Sequence, residues 1–256
     1  MKPGRGSTPR GATSEQEAAA HVRRMFGAVA GRYDLLNHLL SFQVDRYWRA
    51  RAVRRLRPIL ERPGARVLDL CCGTGDLLAA LRAKAHVQAF VMGGDFCHPM
   101  LVEASKKLPS APLIECDALH LPFADGSFDL ITAAFGFRNL ANYRQGLLEL
   151  RRALKPGGTL AILEFSTPPN ALFRVLYSFY STRVLPFVGG LISGQREAYT
   201  YLPESVRKFP AAPELAREME AAGFTRVEFR RYTFGIVALH TAGVVCPKHH
   251  RADTTP

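Results

Sequence analysis

Apolar and polar positions change their period along this chain. Between residues 14 and 60 the apolar positions recur at helical spacing. Ala18, Val22, Met25 and Phe26 mark a first helix, 34–40 a short second and 45–60 a longer third. Ser14-x-x-Glu17 has the spacing of a capping box at the first start, and Arg62-Pro63-Gly64 stops the third. From residue 66 short apolar runs alternate with helical patterns. Strands are expected at 66–70, 89–94, 112–116, 127–134 and 159–165, and helices near 76–84, 100–108 and 143–154. Such alternation builds a parallel sheet covered on both faces. A helix at 213–222 and two β runs, 224–231 and 232–239, close the pattern with an antiparallel hairpin element. The expectation is a doubly wound α/β sheet of seven mostly parallel strands.

The organisation follows. Residues 14–247 form one domain, with 14–62 as a helical cap and 166–209 as an insertion before the last helix. An insertion of that length in a compact domain is commonly a functional lid. It carries Phe173, Tyr177, Phe179, Tyr180, Phe187, Tyr199, Tyr201 and Phe209, and Phe173, Tyr177 and Tyr180 share one helical face. They either pack onto the sheet or line an apolar substrate cavity. Residues 1–13 and 248–256 are polar and read as disordered tails.

Composition narrows the class. A 256-residue chain that is 47% hydrophobic can bury a full core. It has no uncharged apolar run of about 18 residues, the length that spans a bilayer, and its first residues lack the apolar stretch of a secretory signal. The five cysteines have no metal spacing, so reduced thiols in a cytoplasmic protein and no metal are expected. Net charge is +12, with six arginines between Arg46 and Arg57. That stripe could attract nucleic acid, an anionic membrane or an acidic ligand, or could be a solvated helix face.

The candidate chemistry begins at Val67-Leu68-Asp69-Leu70-Cys71-Cys72-Gly73-Thr74-Gly75-Asp76. An apolar strand ends in a carboxylate and a turn of small residues, where backbone can approach a ligand. Leu78 stands where a dinucleotide fingerprint would need its third glycine. Asp95 ends the second strand twenty residues after Gly75, placed to grip vicinal ribose hydroxyls. Asp69-x-Cys71-x-Gly73-x-Gly75 resembles the acidic glycine-rich motif of S-adenosylmethionine (SAM) methyltransferases, with Cys71 where glycine is usual. That resemblance implies the class I Rossmann-like fold, with Gly73, Thr74, Gly75 and Asp95 at the cofactor. It places Asp117 at the adenine amino group and the Ala118 N–H at a ring nitrogen. Asp125-Gly126-Ser127-Phe128-Asp129 is also typical of the group.

A narrower resemblance covers residues 21–242. Phe135-Gly136-Phe137-Arg138-Asn139, Leu154-Lys155-Pro156-Gly157-Gly158 and Leu163-Glu164-Phe165-Ser166 are similar to signatures of the ubiquinone/menaquinone biosynthesis C-methyltransferase family. So are Met25-Phe26, Arg32-Tyr33-Asp34-Leu35-Leu36-Asn37, Asp45-Arg46-Tyr47-Trp48-Arg49, Glu197-Ala198-Tyr199-Thr200-Tyr201-Leu202-Pro203-Glu204-Ser205 and Phe234-Gly235-Ile236-Val237-Ala238-Leu239-His240. Gln43 stands where glycine is common and Ala134 where some members have serine. Cys71-Cys72 resembles menaquinone-type members.

The resemblance implies methyl transfer from SAM to a ring carbon of a membrane-resident prenylated quinol, a naphthoquinol before a benzoquinol. A ring carbon is nucleophilic enough only when an ortho hydroxyl ionises. Arg138 is therefore expected to face the developing phenolate and Asn139 to orient the quinol oxygen or the cofactor, while Tyr33 could close over the cofactor. Peripheral association with an anionic inner membrane face is expected, and a homodimer stays open. No nucleic-acid partner is expected. A nucleic-acid methyltransferase or a non-catalytic quinone- or RNA-binding scaffold are the rivals. The intact Gly73, Gly75, Asp95 and Asp117 argue against the scaffold.

Overall fold

The computed structural model describes residues 6, 7, 9, 11–184 and 196–245, apart from the side chains of 36, 40, 184 and 196–200. The expected tail at 248–256, Phe187 and the Tyr199 side chain lie outside the described residues.

The first three helices are α1 (Glu15–Val29), α2 (Tyr33–Leu40) and α3 (Val44–Leu60). Strands and helices then alternate through β1 (Arg66–Leu70), α4 (Asp76–Arg82), β2 (Phe90–Asp95), α5 (His98–Lys107), β3 (Leu113–Glu115), β4 (Phe128–Ala134), α6 (Tyr143–Ala153) and β5 (Leu154–Phe165). After α7 (Ala171–Phe179) and α8 (Arg196–Lys208), α9 (Ala212–Ala221) leads into β6 (Thr225–Tyr232) and β7 (Val237–Gly243). The seven strands lie in the order β3-β2-β1-β4-β5-β7-β6. Only β7 runs against the rest, antiparallel to both β5 and β6. This is the doubly wound class I methyltransferase sheet.

Strand alternation divides the core. Leu68, Leu70, Ile131, Leu160 and Ile162 face a buried layer shared with Leu147 and Leu150 of α6 and Leu215 and Met219 of α9. Val67, Leu130, Ala161 and Leu163 face the opposite layer, filled by Trp48, Leu56 and Leu60 of α3 and Leu77, Leu78 and Leu81 of α4. The sequence turns back at β1, which lies between β2 and β4. A crevice opens beyond the strand ends at such a switch point.

Several boundaries depart from the sequence pattern. Ser14 Oγ accepts the Glu17 N–H, as a capping box requires. The Glu17 carboxylate, however, takes the N–H and hydroxyl of Thr13, each at 2.7 Å, so the return half shifts by one residue. β5 begins at Leu154 rather than 159, because Leu154 pairs with Phe128 and the Lys-Pro-Gly-Gly turn is drawn into an irregular strand. The last strand begins at Val237 after a tight turn at Thr233–Gly235 and runs to Gly243. Ser7 and Pro9 fall in the stretch read as a tail, yet both are buried, and the Ser7 N–H donates to Leu140 O at 2.7 Å.

Half of the arginine stripe of α3 is paired. Arg49 is half-buried against Asp45 and Asp76. Arg55 pairs with Glu228 at 2.9 Å and Arg57 with Glu61 at 2.5 Å.

The ends of β1 and β4 press together. Cys71 and Phe135 hold φ values of 53° and 58°, in the left-handed region that costs a side-chain-bearing residue free energy. A Cβ on Gly136 would lie 2.3 Å from the Cys71 Cβ. We expect Gly136→Ala to lower stability in urea unfolding by about 1–3 kcal/mol. Cys71→Gly in the same background should return most of that loss, because it removes the atom struck. Losses that simply add would contradict the contact.

Candidate active site

Two contiguous cavities occupy the crevice. The larger, of about 460 Å³, is lined by Gly73, Asp95, Asp117, Ala118 and Asn139, among others. It falls in the size range of small-molecule pockets. The smaller, of about 130 Å³, reaches Asp69, Thr74, Trp48, Arg138 and Phe165. Phe26, Tyr33, Cys71, Gly73, Ala134 and Phe135 border both. Tyr33 thus stands where the cavities meet.

Asp95 ends β2 and is buried. Its carboxylate accepts the Gly73 N–H at 2.8 Å and the Cys97 N–H at 2.9 Å. Those bonds leave lone pairs on both oxygens for a ligand's hydroxyls. Burial still pushes its acid up to about 6. Asp117 is exposed at the rim, its Oδ1 accepting the Leu119 N–H at 2.9 Å, and Ala118 is buried beside it. Gly75 borders neither cavity. Its φ of 87° opens α4, and a Cβ there would lie 3.1 Å from Leu108 Cδ1. Thr74 is buried and donates its hydroxyl to Asp34, so it ties the cap to the loop.

Asp69 is the residue the sequence reading undervalued. It is 1% exposed and lines the smaller cavity. Oδ1 accepts the Thr132 hydroxyl at 2.7 Å, while Oδ2 has no hydrogen-bond partner. The Leu78 amide lies close enough to soften the charge, but outside bonding geometry. Burial first, with the charge of Asp95 adding to it, pushes Asp69 up to about 7. Two buried acids short of positive charge fit SAM. The cofactor brings a sulfonium, an ammonium and a ribose diol, and Asp69 and Asp95 are the residues that would hold them. The thiols around them take no part, because burial raises Cys71, Cys72 and Cys116, the last to about 12.

Arg138 and Asn139 sit side by side after β4, both buried. The Arg138 Nη1 donates to Glu164 Oε1 at 3.0 Å and to Phe135 O, and its Nε donates to Ser205 Oγ at 3.3 Å. Glu164 also accepts the N–H groups of Arg138 and Phe165. Burial alone would raise Glu164 and lower Arg138. The pairing opposes both shifts, and Arg138 stays cationic. Arg138 is therefore not a lone cation but half of a buried ion pair. Among the described residues its Nη2 has no partner, which leaves one donor for a ligand. Asn139 Oδ1 accepts the Tyr201 hydroxyl at 2.9 Å, and Tyr201 in turn meets Ser7 Oγ at 2.8 Å. Phe135, Phe165 and Trp48 form an aromatic wall with centroids 5.0–6.1 Å apart.

His38, Asp45 and Asp76 bring ligand atoms within metal-binding range of one another. Their charges are already matched. Arg49 bridges Asp45 and Asp76, and Lys107 reaches Asp76 at 2.5 Å and Asp34 at 2.6 Å. The group is an ion-pair clamp between cap, loop and α5.

Proton linkage follows from the two raised acids. A cationic ligand needs them ionised, so its affinity is full above their elevated values and lost as pH falls through about 7 and then about 6. Calorimetry should show SAM affinity at least about tenfold weaker at pH 5.5 than at 7.5. Asp69→Asn should flatten the profile. A flat profile in the unsubstituted protein would contradict the assignment.

Comparison with known proteins agrees with this geometry. The ubiE/COQ5 methyltransferase family matches residues 12–244. Demethylmenaquinone methyltransferase of Thermus thermophilus is 52% identical over 220 residues, covering 84% of this chain and 98% of that protein. The ubiquinone/menaquinone biosynthesis C-methyltransferase UbiE of Geobacter sulfurreducens is 43% identical, covering 88% of this chain and 89% of its own. A SAM-dependent methyltransferase from Thermotoga maritima superposes with a TM-score of 0.61 at 19% identity, covering 86% of this chain and 98% of that one, which speaks for the fold alone. The chain belongs to the ubiE/COQ5 methyltransferase family, and its methyl donor is SAM.

Proposed function

We propose that this enzyme methylates a ring carbon of demethylmenaquinol, a prenylated naphthoquinol, at the inner face of the cell membrane. The observation that carries the substrate is the likeness to the Thermus demethylmenaquinone methyltransferase across 98% of that protein's length. A benzoquinol of ubiquinone biosynthesis is the second reading, favoured by the name of the Geobacter relative. Among the described residues no helix is long and apolar enough to cross a membrane, so the protein must reach a lipid-dissolved substrate from the surface.

SAM, when bound, supplies a methyl group made electrophilic by its sulfonium. The chain's residues do the rest. Asp69 and Asp95 hold the cationic and ribose ends. Trp48, Phe135 and Phe165 give the ring a dry wall. The free Nη2 of Arg138 donates to the ring oxygen as negative charge develops, in a site where a fixed donor counts for more than in water. Glu164 keeps that guanidinium in place. Asn139, its amide oriented by Tyr201, offers a second donor. Arginine is too basic to take the proton, which leaves through water. Only the reduced ring can react, because a quinone carbon is not nucleophilic.

Cells lacking the gene should accumulate demethylmenaquinone by mass spectrometry and recover on complementation. An unchanged quinone profile would contradict the substrate. Arg138→Ala would strand Glu164 as an unpaired buried charge at about 3–5 kcal/mol, so it confounds fold with chemistry. Arg138→Lys is the informative change. Single-turnover methylation should fall about 10²-fold, with SAM affinity within about threefold. A wild-type rate would remove Arg138 from the chemistry.

A further inference from the structure

The helix α7 is apolar on both sides, yet none of its residues is buried. Phe173, Tyr177 and Tyr180, at i, i+4 and i+7, form its half-buried inner side, where Tyr177 lies in the fields of Arg138 and Glu164. Leu172, Val175, Leu176 and Phe179, at i, i+3, i+4 and i+7, form the outer side and are 65%, 66%, 55% and 64% exposed. A soluble helix puts polar residues on that side.

The apolar surface continues past the helix. Phe42, 75% exposed, meets Tyr180 with centroids 6.1 Å apart. Phe234, 65% exposed, stacks on Phe173 at 4.1 Å. Leu35 and Leu39 extend it along the outside of α2, the helix whose Tyr33 and Asn37 line the smaller cavity. The exposed face and the reaction cavity thus share one wall.

Charge identifies the occupant. From Ser166 to Gln195 the chain carries Arg174 and Arg183 and no carboxylate. Both arginines are exposed. Arg174 also borders a cavity of about 420 Å³ between α7 and α8, lined with the hydroxyls of Ser166, Thr167, Ser178, Ser181 and Thr182, with Arg207, and with one carboxylate residue, Glu204, against the two arginines. Arginines and hydroxyls beside an apolar helix face suit phosphate headgroups above acyl chains. Three of the six α3 arginines are already held, Arg49 by Asp45 and Asp76, Arg55 by Glu228 and Arg57 by Glu61, which leaves only half of that stripe for anions.

We infer that the outer face of α7, with Phe42 and Phe234 at its ends, inserts into an anionic phospholipid bilayer and sets the cavity against the membrane. This rests on the reading of a prenylated, lipid-dissolved substrate. The occupant is the bilayer, and the prenyl tail need never leave it.

The test uses the full chain with phosphatidylglycerol/phosphatidylcholine vesicles. Trp48 is the only tryptophan and is buried, so Phe179→Trp adds a reporter on this face. Its emission should shift to the blue and be quenched by lipids brominated on the acyl chain. Val175→Glu with Phe179→Glu should weaken sedimentation with these vesicles at least tenfold, while turnover on a short-chain soluble quinol stays within twofold. An unquenched reporter, or glutamate variants that sediment like wild type, would overturn the proposal. So would lost partitioning in Arg46→Gln/Arg54→Gln alone, which would move docking to α3. Glutamate variants that dissociate a dimer and leave vesicle binding intact would show that a second copy covers the face. Quenching without turnover on any quinol would sustain the docking face and overturn the functional reading instead.

Discussion

Two carboxylates are buried together with too little positive charge. Asp69 and Asp95, at adjacent strand ends, are 1% and 6% exposed. Raising Asp69 from 3.8 to about 7 corresponds to about 4 kcal/mol against its charged form. Asp95 also holds the Gly73 and Cys97 N–H groups and Asp69 Oδ1 the Thr132 hydroxyl, but Oδ2 of Asp69 has no partner in the fold. The arrangement makes sense as a receptor for a cation, in which the ligand supplies the charge that the protein withholds. The parallel sheet fixes the distance between the acids, since β1 and β2 pair in register from Arg66↔Phe90 to Leu70↔Gly94.

The rest of the crevice is fixed in place around that unneutralised charge. The helical cap is held over the loop by Thr74 on Asp34 and by Arg49 and Lys107 on Asp76. Behind the ligand, the Arg138–Glu164 pair is satisfied by backbone N–H groups and by Ser205. Such a pair contributes little net stability but is expensive to break, so it suits a fixed point better than a mobile one. The strained Cys71 and Phe135 lie where the two cavities meet, as expected where close approach to a ligand outranks backbone comfort.

The sheet was legible in the sequence, because short apolar runs and the Gly73–Gly75 turn report local geometry, although β5 and β7 begin elsewhere than the pattern placed them. Gly73, Asp95, Asp117, Ala118 and Asn139 line one cavity, Thr74 and Arg138 the other, and Gly75 neither. What escaped depends on long-range partners. No local signal says that Arg138 meets Glu164, 26 residues on, or that Ser7 reaches Tyr201 across 194 residues. Asp69 looked like a strand-end marker because sequence shows neither burial nor a missing partner. The two departures at glycine positions find a common cause, since Gln43 and Cys71 hold φ values of 63° and 53°, where glycine is at ease. The arginine stripe of α3 was read by composition alone; Asp45 and Glu61 meet Arg49 and Arg57 four residues away, while Asp76 and Glu228 reach Arg49 and Arg55 only through tertiary folding.

Carboxyl carbon-13 NMR titration of Asp69 and Asp95, with and without SAM, tests the central claim most directly. The account predicts that both acids titrate well above the ordinary aspartate range in the free protein, near 7 and 6. It also predicts that SAM drives both into the ionised form down to below pH 5. Free-protein titration near the ordinary value of about 3.9, or no response to SAM, would contradict it.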